Sequence, residues 1–273
     1  MGFSRFVRRT EISGELVCQT GVRIGTGRGG SVGVTDLPVL RDSRGRPVIP
    51  GSSLKGVLRS GVEAVLRAQE GGDALACDRF NKPCLDDLEK AGGADARELD
   101  ARTRNQRARD NVAKLCVACR AFGAPGLASS VIFSDAALQG DEPPRVQQRD
   151  GVAIDRDLGR VLGGLKYDYE VVAAGSRFGF RVDVDPGDDG GWQDGLLALG
   201  LDLLDQGFVR VGGGTSRGLG LMRVEGLKVR SVSAAGLLKG VAPETLTWEE
   251  FLRSARERLE AEVLRVATMK EGT

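Results

Sequence analysis

Histidine is absent from this chain of 273 residues. Because histidine is the side chain whose ordinary pKa lies closest to neutral pH, its absence removes the commonest general base and the commonest zinc ligand. Mechanisms that pair a serine or cysteine nucleophile with an imidazole are therefore excluded. Any hydrolytic chemistry has to come from other groups.

The chain also lacks long apolar runs and an excess of charge of one sign. No apolar run approaches the roughly 20 residues that cross a bilayer, and the first residues, MGFSRFVRRTEISG, contain no signal-peptide core. We therefore expect a cytoplasmic protein with no membrane partner. The net charge is only +1, so the basic character typical of nucleic-acid-binding domains is missing. A phosphate site would have to come from clustered cations, glycine-loop amides and helix N-termini.

The periodicity of apolar residues predicts interspersed strands and helices. A strand–helix–strand unit occurs twice, which predicts an α+β fold of the modified ferredoxin-like type, with helices on one face of a sheet. The predicted core covers 1–232, with a polar, cysteine-bracketed insertion at 71–120, and a C-terminal helical extension covers 233–273. Predicted strands lie at 5–20, 131–138, 177–184, 208–211 and 221–229; predicted helices at 53–68, 95–115, 192–206 and from 247; and a protruding hairpin at 145–166.

Two glycine-rich loops, Gly25 to Gly33 and Gly212 to Gly220, are the strongest local pattern. Glycine lets a backbone approach a ligand closely and adopt positive φ, and Arg28 and Arg217 add donor forks suited to phosphate. A single such loop is more often a turn between strands, but here two of them are equally glycine-rich. Neither loop has Walker A spacing or a Rossmann context, which argues against a small-molecule phosphate-binding enzyme.

The order of the motifs resembles a known family. Four motifs follow one another: a glycine loop, VTDLPVLRD, PVIPGSSLKGVLR and GGGTSRGLGL. With these motifs in this order, the sequence is similar to the RAMP proteins of type III CRISPR effector complexes. More narrowly, it resembles the repeated backbone subunit of Csm- and Cmr-type complexes, from Phe6 to Val229. The resemblance implies a modified RNA-recognition-motif fold whose copies stack along a CRISPR RNA.

The same resemblance assigns Asp36, in VTDLP, as the acid that cuts target RNA with Mg²⁺ or another divalent metal. Whether Asp36 binds the metal or positions the RNA 2′-OH stays open. Without the resemblance, Asp36 would be a turn residue before Pro38. Asp42, in RDSRGRP, is predicted to form a tight turn and not to act in catalysis.

The resemblance also implies a set of RNA-binding residues in the loops, in the helix after Pro50 and in the hairpin. These are Gly25, Gly27, Arg28, Gly29, Gly30, Ser52, Ser53, Lys55, Arg59, Arg156, Gly213, Gly214, Ser216, Arg217 and Gly218. The hairpin, about 141–168, resembles the family's thumb, an element that crosses the guide–target duplex. Its apolar residues would act as a wedge: Val152, Ile154, Leu158, Val161 and Leu162.

Four of the five cysteines flank the polar insertion as Cys77 with Cys84 and Cys116 with Cys119. The C-x-x-C pair suits one edge of a tetrahedral zinc site, and the looser second pair would close it. Four unrelated buried thiols are the alternative, and a redox role lacks a thioredoxin-like context. Cys18 is expected in the core.

The leading hypothesis is a guide-RNA-binding backbone subunit that acts as a metal-dependent endoribonuclease in the assembled complex, with a structural Zn²⁺. Its expected partners are CRISPR RNA, target RNA, further copies of itself or paralogous RAMP subunits, and other effector-complex subunits. One alternative is a non-catalytic structural paralogue. Another is a repeat-processing RAMP endoribonuclease, which the missing histidines disfavour.

Overall fold

A computed structural model describes residues 5–26, 35–78, 84, 112, 115–124, 127–140, 144–186 and 190–271, with backbone only for 162–165 and 269–271. The helix predicted over 95–115 lies almost entirely outside these residues. The strands are β1 (Arg8–Cys18), β2 (Val48–Ile49), β3 (Val131–Phe133), β4 (Ala136–Leu138), β5 (Val146–Ile154), β6 (Val161–Val172), β7 (Arg177–Val184), β8 (Met222–Ser233) and β9 (Glu244–Leu246). The helices are α1 (Gly51–Arg67), α2 (Gly72–Leu75), α3 (Val117–Phe122), α4 (Gln193–Asp205), α5 (Ala234–Leu238) and α6 (Trp248–Glu271).

The main sheet is antiparallel within the described ranges. Its strand order is β2-β4-β7-β1-β8-β9, and β3 pairs with β7 beside β4. Counting β3 and β4 as one broken strand, β1, α1, β3/β4, β7, α4 and β8 follow the βαββαβ order of a ferredoxin-like unit. The α+β prediction is therefore confirmed.

One face of this sheet is apolar and the other is charged, because successive strand residues point to opposite sides. Ile12 on β1 lies opposite Val182 on β7 and Val229 on β8, and all three side chains are buried. The helices cover this apolar face: α4 packs against α1, β8 and α6. The charged face carries ion pairs between neighbouring strands, such as Arg181 with Glu11 at 2.9 Å.

Strands β5 and β6 form a separate two-stranded sheet, a hairpin inserted between β4 and β7. The base of the hairpin is anchored on the core. Val172 of β6 is buried and exchanges backbone hydrogen bonds of 2.8 and 2.9 Å with Val22, which follows β1. The position of the base is therefore set by the main domain.

Three local predictions were wrong. The predicted strand 131–138 is two short strands, because Asp135 turns away to accept a 2.8 Å hydrogen bond from the Gly51 amide at the start of α1. Serine is a favourable N-cap, so the sequence after Pro50 predicts Ser52 or Ser53 as the cap of α1. Pro50 occupies that position instead, and no side chain caps the helix.

The third wrong prediction is the strand at 208–211, because these residues form a turn. Gly207 adopts φ +77° after α4, and the amides of Phe208 and Val209 bond back to the Leu203 carbonyl. Such a left-handed glycine ends a helix and leaves no extended segment for pairing.

The C-terminal residues pack on the same core. The spacing of Thr247 and Glu250 predicts a capping box at the start of α6. The structure contains it: Thr247 Oγ1 accepts from the Glu250 amide, and the Thr247 amide donates 3.0 Å to the Glu250 carboxylate. Phe251 and Ala255 of α6 are buried. The close approach of α6 to α4 depends on Gly195, where a Cβ would collide with the Ala255 carbonyl.

Candidate RNA-cleavage site and cysteine cluster

The second glycine loop contacts the residues that lead into the first one, at the base of the hairpin. The Gly213 amide donates 2.8 Å to the Arg23 carbonyl, and the Gly220 amide donates 2.9 Å to the Gly21 carbonyl. Gly212 has φ +89°, and a Cβ there would collide with the Arg23 carbonyl, so only glycine permits this approach. Loop segments some 190 residues apart in sequence are therefore one surface.

Most of the predicted RNA-binding residues of the second glycine loop lie on this surface. Gly214, Ser216, Arg217 and Gly218 are exposed, around a single 3-10 turn at Thr215–Arg217. In the first segment Gly25 is exposed and pairs with Val39. The remaining members, Gly27, Arg28, Gly29 and Gly30, lie outside the described residues.

Residues 36–41 form a strap along β6 of the hairpin. The Glu170 amide donates 3.1 Å to the Leu37 carbonyl, and the Val39 amide donates 2.9 Å to the Glu170 carboxylate. Arg41 also pairs with Glu170 at 3.1 Å. The strap is therefore fixed to the hairpin by backbone and side-chain contacts together.

Asp36 begins this strap and is held by a reciprocal pair of hydrogen bonds. Its amide donates 2.8 Å to Asp168 Oδ1, and the Asp168 amide donates 3.1 Å to Asp36 Oδ2. The bond from the Asp36 amide holds the pKa of the Asp168 carboxyl below its ordinary value. Asp36 is exposed. The result is a fixed, solvent-facing pair of carboxylates, a donor type suited to a hard divalent cation or to a hydroxyl proton.

A pocket of about 370 Å³ opens beside the strap. Its lining residues are Arg23, Leu37, Tyr167, Tyr169, Gly214, Ser216, Arg217 and Leu219. Arg217 Nη1 donates 2.8 Å to the Tyr167 hydroxyl. The Arg23 guanidinium lies 5.9 Å from the centre of the Tyr169 ring, and its Nε is buried without a hydrogen-bond partner.

Sequence reasoning missed Arg23, Asp168 and the two tyrosines. A usable signal was the Tyr167-Asp168-Tyr169 run on a strand, since alternation places both rings on one side and the acid on the other. Arg23 carried no such signal, because its position depends on contacts with a loop distant in sequence.

The α1 N-terminus keeps part of its predicted arrangement. Ser52 is exposed, and Ser53 and Lys55 are half-buried. The Gly51 amide is already bound to Asp135, as described above. The two serines and Lys55 stay predictions as RNA ligands.

Arg59 does not fit its predicted role as an RNA ligand. Its side chain is buried, donating 2.6 Å to Glu63, 2.8 Å to the Gly123 carbonyl and 3.3 Å to Cys119 Sγ. Position 59 falls beside the buried Leu58 on the inner face of α1. The guanidinium is thus committed to the interior and cannot reach a phosphate.

Replacing Arg59 with methionine is expected to destabilise the protein by about 3–5 kcal/mol, because Glu63 would lose its closest buried partner. Chemical denaturation measures this change. The double substitution Arg59→Met with Glu63→Met serves as control and should recover part of the loss. A single substitution without effect on stability would contradict the structural role of Arg59.

Four cysteines converge beside Arg59. The sulfur atoms of Cys77, Cys84, Cys116 and Cys119 all lie within 4.8 Å of one another. Cys116 is the N-cap of α3, and its sulfur accepts a 3.4 Å hydrogen bond from the Cys119 amide. Four sulfurs at this spacing could hold one metal ion.

The thiols of the cluster form one hydrogen-bonded group. Hydrogen bonds from Cys119 and Cys84 lower the pKa of the Cys116 thiol, and the pKa values of Cys119 and Cys84 are raised by the same contacts with Cys116. The Arg59 guanidinium donates to Cys119 and supplies positive charge next to the sulfurs. Cys18 differs: burial in the core raises its pKa to about 12.

The far end of the hairpin exposes apolar side chains. Val152, Ile154, Leu158 and Val161 are each 45% exposed or more. Arg156 is also exposed in the turn, which Asp155 stabilises by accepting the Asp157 and Leu158 amides. The side chain of Leu162 lies outside the described residues.

Comparison with known proteins identifies the class. The model of the RAMP superfamily matches residues 15–223, and this chain belongs to that superfamily. Among the described residues, no helix is long and apolar enough to cross a membrane.

Three similar relatives carry the name CRISPR system Cms endoribonuclease Csm3. The protein of Mycobacterium tuberculosis is 31% identical over 88% of this chain and 96% of its own length. The protein of Methanothermobacter thermautotrophicus is 27% identical, covering 83% and 87% of the two chains. That of Methanocaldococcus jannaschii is 28% identical, covering 80% and 79%.

Proposed function

We propose that this chain is a guide-RNA-binding backbone subunit of a type III CRISPR effector complex and cleaves complementary target RNA. The observation that carries the proposal is the placement of Asp36. It is exposed and fixed to Asp168 at the base of the hairpin, beside the second glycine loop and the residues that lead into the first. The relatives named as endoribonucleases support the same activity.

In this proposal, different surfaces of the protein contact different parts of the RNA. Glycine-loop amides and Arg217 hold the guide backbone, together with Ser52, Ser53 and Lys55 at the start of α1. Backbone and cation contacts of this kind bind RNA without reading its sequence. The exposed apolar side chains of the hairpin pack against bases, and Arg156 contacts phosphate. Further copies or paralogous subunits continue the surface along the guide.

The chemistry is restricted by the absence of histidine. RNA supplies its own nucleophile, the 2′-OH, and Asp36 either orients that hydroxyl or binds a divalent cation. Asp36 and Asp168 are the residues that would hold such a cation. A divalent ion such as Mg²⁺ supplies charge stabilisation at the scissile phosphate. Fixing Asp36 through two hydrogen bonds keeps the carboxylate in place before RNA binds.

The cysteine cluster has a structural role in this proposal. Cys77, Cys84, Cys116 and Cys119 would hold one Zn²⁺ in a closed four-sulfur site, which leaves no open position for catalysis. The ion would join the residues after α2 to the start of α3, and Arg59 on α1 would donate a hydrogen bond to one of its sulfur ligands, Cys119. It would thereby fix the ends of the polar segment between Cys84 and Cys116.

The test uses the complex assembled with its native subunits. RNA extracted from it should be a discrete set of guide lengths. Added target RNA complementary to that guide should be cut with Mg²⁺ present and stay intact with EDTA, while a scrambled RNA stays intact in both. Cleavage in EDTA would contradict metal dependence. Guide RNA without cleavage would favour the non-catalytic paralogue, and no co-purified RNA would overturn the proposal.

A further inference from the structure

The C-terminal helix α6 packs on the domain in two different ways along its length. In its first half the buried side chains are apolar, and they include Phe251, Ala255 and Leu259. Among residues 260–268, the side chain that is fully buried is the carboxylate of Glu262. Because burying a charge is unfavourable unless the charge is paired, this second half docks stably only while Glu262 has a cation.

Arg120 of α3 supplies a cation from the domain. Its Nη1 donates 2.6 Å to Glu262 Oε1, and the two side chains are 9% and 8% exposed. The Arg120 guanidinium also lies 4.7 Å from the centre of the buried Trp192 ring. Arg265 bonds to the same carboxylate, but it lies on α6 itself, so that pair forms whether or not the helix is docked. The Arg120–Glu262 pair therefore links α6 to α3.

The position of Arg120 depends on the cysteine cluster. Arg120 directly follows Cys119, and its helix α3 has six residues. Such a short helix is unstable in isolation, because its nucleation costs more than its few hydrogen bonds return. The first turn of α3 holds two of the four sulfurs, Cys116 at the N-cap and Cys119 three residues later. A metal ion bound there would fix the turn that directs Arg120 towards Glu262.

A second contact joins the cluster to the same half of α6. Helix α2, which ends two residues before Cys77, packs against α6. Gly71, the N-cap of α2, adopts φ +68° and lies against α6, where a Cβ would stand 3.8 Å from Ala267 Cα. The segments next to Cys77 and next to Cys119 therefore both contact residues 260–268.

We propose that metal binding by the four cysteines and docking of residues 260–268 are one coupled equilibrium, so that this end of α6 detaches when the metal is lost. The inference rests on the metal site of the proposed function and is independent of the RNA chemistry. Coupling between two sites is reciprocal, so the docked helix, by holding Arg120, raises the metal affinity by the same factor. Detachment uncovers Trp192, the ring that Arg120 contacts.

Hydrogen exchange of the full chain, zinc-loaded and after chelation of the zinc, tests the coupling. We expect the amides of residues 260–268 to exchange at least about tenfold faster without metal, and those of 248–259 and β1 to change by less than about threefold. Unchanged protection of residues 260–268 overturns the proposal. Equal loss of protection along the whole chain also overturns it, because the metal then stabilises the entire domain and not this end of the helix.

The variant Arg120→Met separates the ion pair from the metal. In the zinc-loaded protein it should release residues 260–268 and weaken zinc binding by the same factor, about tenfold. Arg256→Met is the comparison, because it removes an ion pair with Asp202 from the same helix at a side chain that is 57% exposed. Arg256→Met should leave both the exchange and the zinc affinity of the parent. The same result for Arg120→Met refutes the proposal.

Tryptophan emission gives an independent readout. The chain has two tryptophans, so Trp248→Phe leaves Trp192 as the single emitter and keeps a ring against Phe251. Because Trp192 is buried under Arg120, quenching of its emission by acrylamide should increase at least about twofold when zinc is chelated. Quenching that is unchanged by chelation contradicts the proposal.

The failure of this inference and the failure of the metal site are distinguishable. A chain that neither contains zinc nor binds added zinc refutes the metal site and this inference with it. A chain that binds zinc but protects residues 260–268 equally with and without the metal refutes this inference alone. Cleavage at Asp36 is tested separately in the assembled complex.

Discussion

Replacing Asp36 with asparagine should reduce target-RNA cleavage by the assembled complex at least about 100-fold and leave the amount of bound guide RNA unchanged. Asparagine keeps an oxygen for the Asp168 amide, so the strap is retained. It removes the negative charge that would hold a cation or accept a hydroxyl proton. Single-turnover cleavage of end-labelled target, with guide RNA quantified from the same preparation, measures both effects.

The matched control is Asp42→Asn, the same change six residues further on. Asp42 Oδ1 accepts 2.9 Å hydrogen bonds from the Arg44 and Arg46 amides, which also lower its pKa. This is the turn role predicted from the sequence. The control should cleave like the parent complex. Cleavage by Asp36→Asn within threefold of the parent would remove Asp36 from the mechanism.

A third substitution distinguishes the two roles left open for Asp36. Asp36→Cys places a soft ligand where the carboxylate was. If Asp36 binds the cation, Mn²⁺ or Cd²⁺ should restore part of the cleavage that Mg²⁺ no longer supports. If Asp36 positions the 2′-OH, no metal should restore it.

Replacing Cys116 with serine should remove the bound zinc and lower the melting temperature by about 10 °C. The change is informative because serine is a favourable N-cap, so α3 keeps its cap while the cluster loses a soft ligand. Elemental analysis should fall from about one zinc per chain to near none. Differential scanning calorimetry measures the loss of stability.

Cys18→Ala is the control for thiol loss outside the cluster. Cys18 is buried on β1, so the change leaves a small cavity but no missing ligand. Its zinc content should stay that of the parent. Parent protein without zinc, or a Cys116→Ser variant with unchanged zinc and melting temperature, would contradict the proposed metal site.

The sequence predicted what depends on residue type and short-range periodicity. The two βα units followed from apolar spacing, and the cysteine cluster from the C-x-x-C pair, because thiols have few roles in such a pattern. Asp42 was predictable because a turn acid bonds to amides within four residues. These features need no knowledge of distant contacts.

Features that depend on distant contacts were missed or misplaced. Arg59 was assigned to RNA because a helix pattern does not show that Glu63 and the Gly123 carbonyl bind its guanidinium inside the protein. The pocket was missed because four separate segments build it. Only the folded chain brings Arg23 against Tyr169.

The charged face of the main sheet has a consequence for where a polyanion can approach. On it Arg177 bonds to Glu15 at 2.6 Å and Glu225 at 2.9 Å, beside the Arg181–Glu11 pair. Closely alternating charges cancel within a few ångströms, and salt screens the remainder over about 10 Å. The electrostatic potential of this face is therefore weak. A near-zero net charge is therefore compatible with a local cluster of cations at the hairpin base, where Arg23 and Arg217 line the pocket. In the proposed function, RNA would approach from that side.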